Sequence, residues 1–310
     1  GTHERVALGL AVGVFAVEML MFLFGLLQLW GTTLFVVLPL LAVAANATAA
    51  REWVRRARRH VASSPRLAPR HLLAILFGLG ILALLYFMIL TPYNVQFDSR
   101  WKHMALAEDY VAHGGVRRMD EGWVFSTRPH FTTFAYGWAF LLPFGTLFHR
   151  MVLCAHIEFF LFALTTFFGI PAVVRRLVPR ADPRVVWVAR FLFPGVLVYD
   201  STLSAGADHF GAIFAPAVVL AVFRAFPRLD RGWCWLLITV IAGACLVKET
   251  TAIMLAPIPF LVMLGRFGFL SVRALGGRVE PSARSLFVTC ATTAALGLAH
   301  HLCEDDAALE

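Results

Sequence analysis

Long unbroken apolar runs limit this chain more than any other feature. Val6–Trp30, Thr32–Ala50 and Leu72–Thr91 are near-uniformly apolar, and similar runs recur to the C-terminus. A helix needs about 20 such residues to cross a hydrocarbon core roughly 30 Å thick. Soluble domains interrupt their apolar segments every turn or two to keep a polar face. The chain has 310 residues, 59% of them hydrophobic, and a mean hydropathy of +0.74. The expected class is therefore an all-α, polytopic transmembrane helical bundle.

The formal net charge of +8 does not point to nucleic acid. The arginines fall in short gaps between apolar runs, as the positive-inside bias requires, and form no basic stripe on a soluble face. The densest gap holds Arg51, Arg55, Arg56, Arg58, Arg59, Arg66 and Arg70 against Glu52 alone, and reads as a solvated cytoplasmic loop. The five cysteines, Cys154, Cys234, Cys245, Cys290 and Cys303, form no CxxC pair and read as small buried hydrophobes.

One polar gap differs from the rest. Residues 93–130 carry Asp98, Glu108, Asp109, Asp120 and Glu121 against Arg100, Lys102, Arg117, Arg118 and Arg128, so their charges cancel. With the Arg51–Arg70 gap inside, this loop falls outside. Asp98 or Ser99 can cap a helix running to about His113, which Gly114–Gly115 ends. Trp101, Met104, Ala105, Glu108 and Val111 share helical spacing, the pattern of an amphipathic helix on a membrane surface. Phe131–Phe148 is apolar but broken by Gly137, Pro143 and Gly145. Charge bias favours an interfacial helix over a span there, because a span would carry Arg175, Arg176 and Arg180 outside. The remaining alternation gives spans near Met151–Val174, Val185–Tyr199, Phe210–Phe223, Trp233–Val247, Thr250–Leu264 and Ser285–His300, for about nine in all. A tight turn at Gly31 joins the first two spans.

Ionisable groups at span ends are costly and mark functional candidates. Three groups land on the outer side: Asp98 with Arg100, Lys102 and His103; Asp200 with Asp208 and His209; and Lys248 with Glu249. Such a convergence suits group transfer onto a hydroxyl, with a carboxylate taking the proton and cations holding a departing phosphate. Each group also has a structural reading. Asp98 and Asp208 can be helix caps, and Glu108 and Asp109 a solvated helix face. Arg100 and Lys102 can pair with those acids or with lipid headgroups. Glu158, mid-span beside His156, reads as a buried hydrogen-bonded or packing residue. Histidine spacing supports no metal site, and no cofactor is expected.

The stretches FDSRWKHMALAEDYVAHGG, RPHFTTFAYGWAFLLPFG and STLSAGADHFGAIFAPAVVLAV followed by GACLVKETTAIML resemble the GT-C membrane glycosyltransferases. The likeness is to the branch of protein O-mannosyltransferases and lipid A aminoarabinose transferases. The resemblance implies a GT-C-like fold with juxtamembrane helices in the first large outer loop, and a catalytic module over residues 72–265. Residues 1–71 then form an added two-span hairpin with its basic loop, and residues 266–310 a basic loop, a last span and an outer tail. It implies transfer of a sugar from a polyprenyl-phosphate donor to a hydroxyl acceptor with inversion. Asp98 matches the family's catalytic base, Asp208 a second acidic position, and Lys248 the lysine near the lipid phosphate. Arg100, Lys102, His103, His209 and Glu249 are expected around the substrates. The expected location is a bacterial cytoplasmic membrane, with membrane lipids as partners and the site facing outward. The alternatives are a transporter or lipid flippase, for which no internal repeat is visible, and a non-catalytic scaffold subunit.

Overall fold

The computed structural model describes residues 1–63, 69–89, 99–119, 128–182, 185–186 and 206–275. Among these the chain is helical, with no strand. Helix α1 (Thr2–Leu26) leads to α2 (Thr32–Ala45), α3 (Ala47–Ser63) and α4 (Pro69–Ile89). A π-helical turn, Ser99–Met104, runs into α5 (Ala105–Ala112), and the short α6 is Thr132–Phe140. Helix α7 (Leu147–Leu164) continues through a second π-turn, Thr165–Gly169, into α8 (Ile170–Leu177). Then follow α9 (Ala207–Ala225), α10 (Arg231–Val247), α11 (Glu249–Leu255) and α12 (Pro257–Leu275).

Among the described residues, four stretches are long and apolar enough to cross a membrane: Thr2–Leu26, Leu147–Leu177, Ala207–Ala225 and Glu249–Ser271. Helix α2, expected as a full span over Thr32–Ala50, has 14 residues before Asn46. At 1.5 Å per residue that is about 21 Å. The basic gap after it is not a loop, because Ala47–Ser63 is helical. The expected span near Ser285–His300 and nearly all of Val185–Tyr199 lie outside the described residues.

The core is built around α1 and α9. Ala7, Leu8, Ala11 and Val14 pack with Phe210, Phe214, Ala217 and Ala221 in one buried cluster. Alanines at these positions let the two backbones approach closely, which is how apolar helices associate in lipid. The opposite face of α1 shows Leu20, Leu23 and Leu26, a surface suited to acyl chains. Within residues 1–71, α1 is central to the bundle formed by the later helices.

The reversal after α1 uses Gln28, not Gly31. Gln28 has φ +56°, and its amide donates to Gly25 O (3.2 Å) and Val116 O (2.8 Å). Gly31 is extended and caps α2. Backbone bonds from Trp30 N to Gly114 O (2.9 Å) and from Val116 N to Gly25 O (3.0 Å) fasten this end of α1 to the loop after α5.

Helix α5 ends where the glycines predict. Gly114 has φ +76°, and Gly115 N donates to Tyr110 O at 2.9 Å. Its buried face is a different one, however. Residues His103, Met104, Leu106, Ala107 and Tyr110 are buried, whereas Trp101 is 57% exposed. Helix α5 packs on α6 instead of resting its Trp101–Glu108 stripe on a surface.

Helix α6 has nine residues, about 14 Å, too short to cross a bilayer. It does not lie on the surface either. Every residue from Thr132 to Phe140 except Trp138 is buried. Phe131 N donates to Leu246 O (3.0 Å), and Trp138 stacks on Phe35 with ring centroids 4.6 Å apart. A turn with Gly145 at φ +98° reverses the chain into α7.

Many of the charged groups gather at two ends. At one, Arg224 forms a bidentate pair with Glu4 (2.5 and 2.8 Å) and lies over the Trp233 ring. Arg176 reaches Phe223 O at 3.5 Å, and Arg266 donates to the carbonyls of Phe226 and Pro227. At the other end meet the C-terminus of α1, α5, α6, the start of α9 and the α10–α11 junction.

Candidate functional site

The α10–α11 junction supplies the central cation. Lys248 is extended (φ −164°, ψ 146°) between the two helices, so the helix ends and its side chain leaves the axis. Its Nζ lies 2.7 Å from Oδ1 of Asp208. Asp208 stands in the first turn of α9 after the extended Gly206, where a carboxylate complements the helix N-terminus. The Asp208 side chain is 68% exposed and that of Lys248 25%, so the pair sits at the mouth of the site. Glu249 turns the other way, to Arg128 at 3.5 Å.

The loop before α5 reaches the same place. His103 is buried, with Nδ1 3.4 Å from Thr133 Oγ1. Burial is the main cause that holds its imidazole down, to a pKa of about 3. The positive charges of Lys102, His130 and Lys248 act in the same direction, and Asp208 opposes them. His103 therefore lies within the electrostatic field of the Asp208–Lys248 pair and is a neutral imidazole. Next to it, His130 donates from Nδ1 to Arg128 O at 2.5 Å. That fixes the tautomer, so Nε2 accepts from the Tyr110 hydroxyl at 3.3 Å. Burial lowers the pKa of His130 too, the bond to Arg128 opposes this, and Lys102 adds to the lowering.

Beneath the mouth is a buried acid–base cluster. His209 Nδ1 lies 2.5 Å from Glu158 Oε1 on α7. The other carboxylate oxygen accepts from the Tyr136 hydroxyl at 3.3 Å, which also lies 3.0 Å from Gly206 O. Glu158 and Tyr136 are fully buried, and His209 nearly so. The arrangement orders one imidazole between a carboxylate below and the exposed Asp208–Lys248 pair above.

Of the residues singled out in the sequence, Asp208, His209, Lys248 and Glu249 come together with His103, and Lys102 acts on both His103 and His130. Arg100 does not join them. It pairs with Glu108 at 3.0 Å on the solvated side of α5, both side chains being about 40% exposed or more. Asp109 holds Arg117 by two bonds of 3.0 Å. Asp98 and Asp200 lie outside the described residues. Sequence reasoning did not place Tyr136, Thr133, His130 or Arg128 in the site. A tyrosine or threonine in an apolar helix carries no signal of its own, since its partner comes from another helix. Among the described residues no three His, Cys, Asp or Glu side chains cluster as a metal site would. No protein family, curated protein or solved structure matches the chain. The fold and site define a helical bundle with membrane-length apolar helices and a polar centre at one end.

Proposed function

We propose that the protein is a GT-C-like integral membrane glycosyltransferase. It moves a sugar from a polyprenyl-phosphate donor to a hydroxyl acceptor, with inversion. The observation that carries this reading is the Lys248–Asp208 pair at a helix break, beside buried His103. A lysine held by one exposed carboxylate offers a place for a lipid phosphate, which replaces that carboxylate as its counter-charge. In the reaction Asp98 removes the acceptor's proton. The acceptor oxygen bonds to the anomeric carbon from the face opposite the phosphate. The C–O bond to phosphate breaks, its electron pair stays on the phosphate, and Lys248 neutralises the new charge with help from Lys102. Asp208, released from Lys248, orients acceptor or sugar together with His103 and His209. Glu249, held by Arg128, borders the site. The positive-inside bias puts the arginine end in the cytoplasm and the site at the outer face of a bacterial cytoplasmic membrane. The full fold then carries about nine spans.

The test is incubation of the purified protein in detergent with a panel of labelled lipid-phosphate sugars and hydroxyl acceptors. Transfer is expected, and Asp98→Asn and Lys248→Ala abolish it while the protein remains folded. Full activity in either variant removes that residue's assigned role, and no transfer from any donor removes the reading. A transporter is the second reading, favoured by one observation: Glu18, a fully buried carboxyl inside α1, is the kind of intramembrane acid that marks a substrate or ion path.

A further inference from the structure

Glu18 lies in the second half of α1, with 0% of its surface exposed. Neither carboxyl oxygen has a hydrogen-bond partner among the described residues. Burying an ionised carboxylate without a partner costs several kcal/mol or more, and a lipid-facing helix offers nothing to offset it. A neutral acid at the same place costs far less. The residue is also not isolated from other polar groups. Tyr136 on α6 lies within electrostatic reach of Glu18, Glu158 and Cys154. Its hydroxyl touches Glu158, and Glu158 holds His209.

We propose that Glu18 and the Tyr136–Glu158–His209 cluster form an intramembrane proton-binding site that opens at the Asp208–Lys248 end of the bundle. The ligand is the proton itself, and the inference does not rest on glycosyl transfer. Helix α1 packs against α6, α7, the Thr165–Gly169 turn, α8, α9 and α10. The titratable groups these elements bring to the region are Tyr136, Cys154, Glu158 and His209, with Cys245 on α10. Thr165 and Thr166 add hydroxyls, that of Thr166 buried without a hydrogen-bond partner among the described residues. The cations Arg176 and Arg224 belong to the opposite end, with Arg224 on Glu4. The basic group bonded to Glu158 is His209, and Glu18 has no hydrogen-bond partner among the described residues. The second acid, Glu18, balances its charge by holding a proton. Uptake forms one O–H bond at Glu18 with a proton drawn from water at the Asp208 end. Release reverses this, and no oxidant or reductant is involved. His209 immediately follows Asp208, so the cluster begins where the site meets solvent.

The experiment uses the full chain in lipid nanodiscs at neutral pH. Dicyclohexylcarbodiimide, an apolar reagent, reacts with protonated carboxyls in apolar surroundings and leaves a stable N-acylurea that peptide mass mapping locates. Glu18 is expected to be modified while the exposed Glu108 and Glu249 are not, and an unmodified Glu18 overturns the proposal. Infrared spectra of the unmodified chain should show a protonated carboxyl that is lost in Glu18→Gln. That band should shift in heavy water, because the site is open to solvent. A band that does not shift marks a sealed acid and overturns the site. In His209→Gln, Glu158 loses its imidazole partner and a second protonated carboxyl should appear. Its absence in the folded variant removes the cluster from the site.

Discussion

Lys248 Nζ lies 2.7 Å from Asp208 Oδ1, and this contact joins a helix break to the first turn of a helix that begins 41 residues earlier, at Ala207. The lysine can point there because the chain is extended at that one residue. In an unbroken helix it would have to point along the axis direction set by its neighbours.

The pair is exposed enough to contribute little to stability, at most about 1 kcal/mol. Lys248→Ala and Asp208→Asn should therefore leave the thermal denaturation midpoint in detergent nearly unchanged. Sugar transfer should fall by about a hundredfold or more, as expected when a group that stabilises developing charge is removed. A large loss of stability with transfer retained would reverse the assignment of this pair from function to structure.

Gly211 sets how closely the two halves of the site approach. A Cβ there would run into the side chain of Thr251, a residue on α11 three positions after Lys248. Gly211→Ala should push α9 from α11 at a cost of about 1–3 kcal/mol, and should loosen the Asp208–Lys248 contact along with it. Adding Thr251→Ala removes the colliding atoms, so the double variant should recover stability and activity together. Denaturation midpoints and transfer rates of the single and double variants check this.

Glu158 and His209 are partners in a buried pair, so the loss of one leaves the other uncompensated. Glu158→Ala should destabilise the protein by about 3–5 kcal/mol. A double-mutant cycle over Glu158→Gln and His209→Gln should give a coupling energy above about 1 kcal/mol, since residues in one hydrogen-bond network are not additive. Additive effects would show that the contact contributes nothing of its own.

His103 makes stability depend on pH. Its pKa falls from 6.5 to about 3 because the folded chain buries it. Between these values the unfolded chain binds a proton that the folded chain does not. The stability is therefore fully present above pH 6.5 and is lost as pH falls towards 3. His103→Gln should flatten that part of the profile, measured as the denaturation midpoint against pH. A slope unchanged in the variant would assign it to other groups, with His130 the next to replace.

Much of the bundle was legible residue by residue. The apolar runs gave α1, α4, α7, α9, α10 and α12, and the pair Gly114–Gly115 marked the end of α5. The site was legible in part, because Asp208 and Lys248 stand at the ends of apolar runs and His103 in the charge-balanced gap. The face of α5 was legible only in part: the π-turn at Ser99–Met104 displaces Trp101 from the helix face a 3.6-residue count assigns it, and packing on α6 selects the residues that are buried. For Arg100 the pairing with an acid of the same loop, one of its two readings, is the one seen, with Glu108. Helix α6 showed itself as a broken apolar stretch, but its burial on nearly every side depends on α1, α5 and α7 surrounding it.

By itself the sequence determined the material of this protein, helices fit for hydrocarbon with most of their charges near the ends. Those are local properties, since apolar length and the cost of a buried charge are set within each segment. Only the tertiary structure decided that Asp208 meets Lys248, that Glu158 meets His209 and that Glu18 meets no hydrogen-bond partner among the described residues. These outcomes depend on how helices cross and where they break, and they join residues 40 and 51 positions apart. No period or propensity along the chain encodes a distance of that kind.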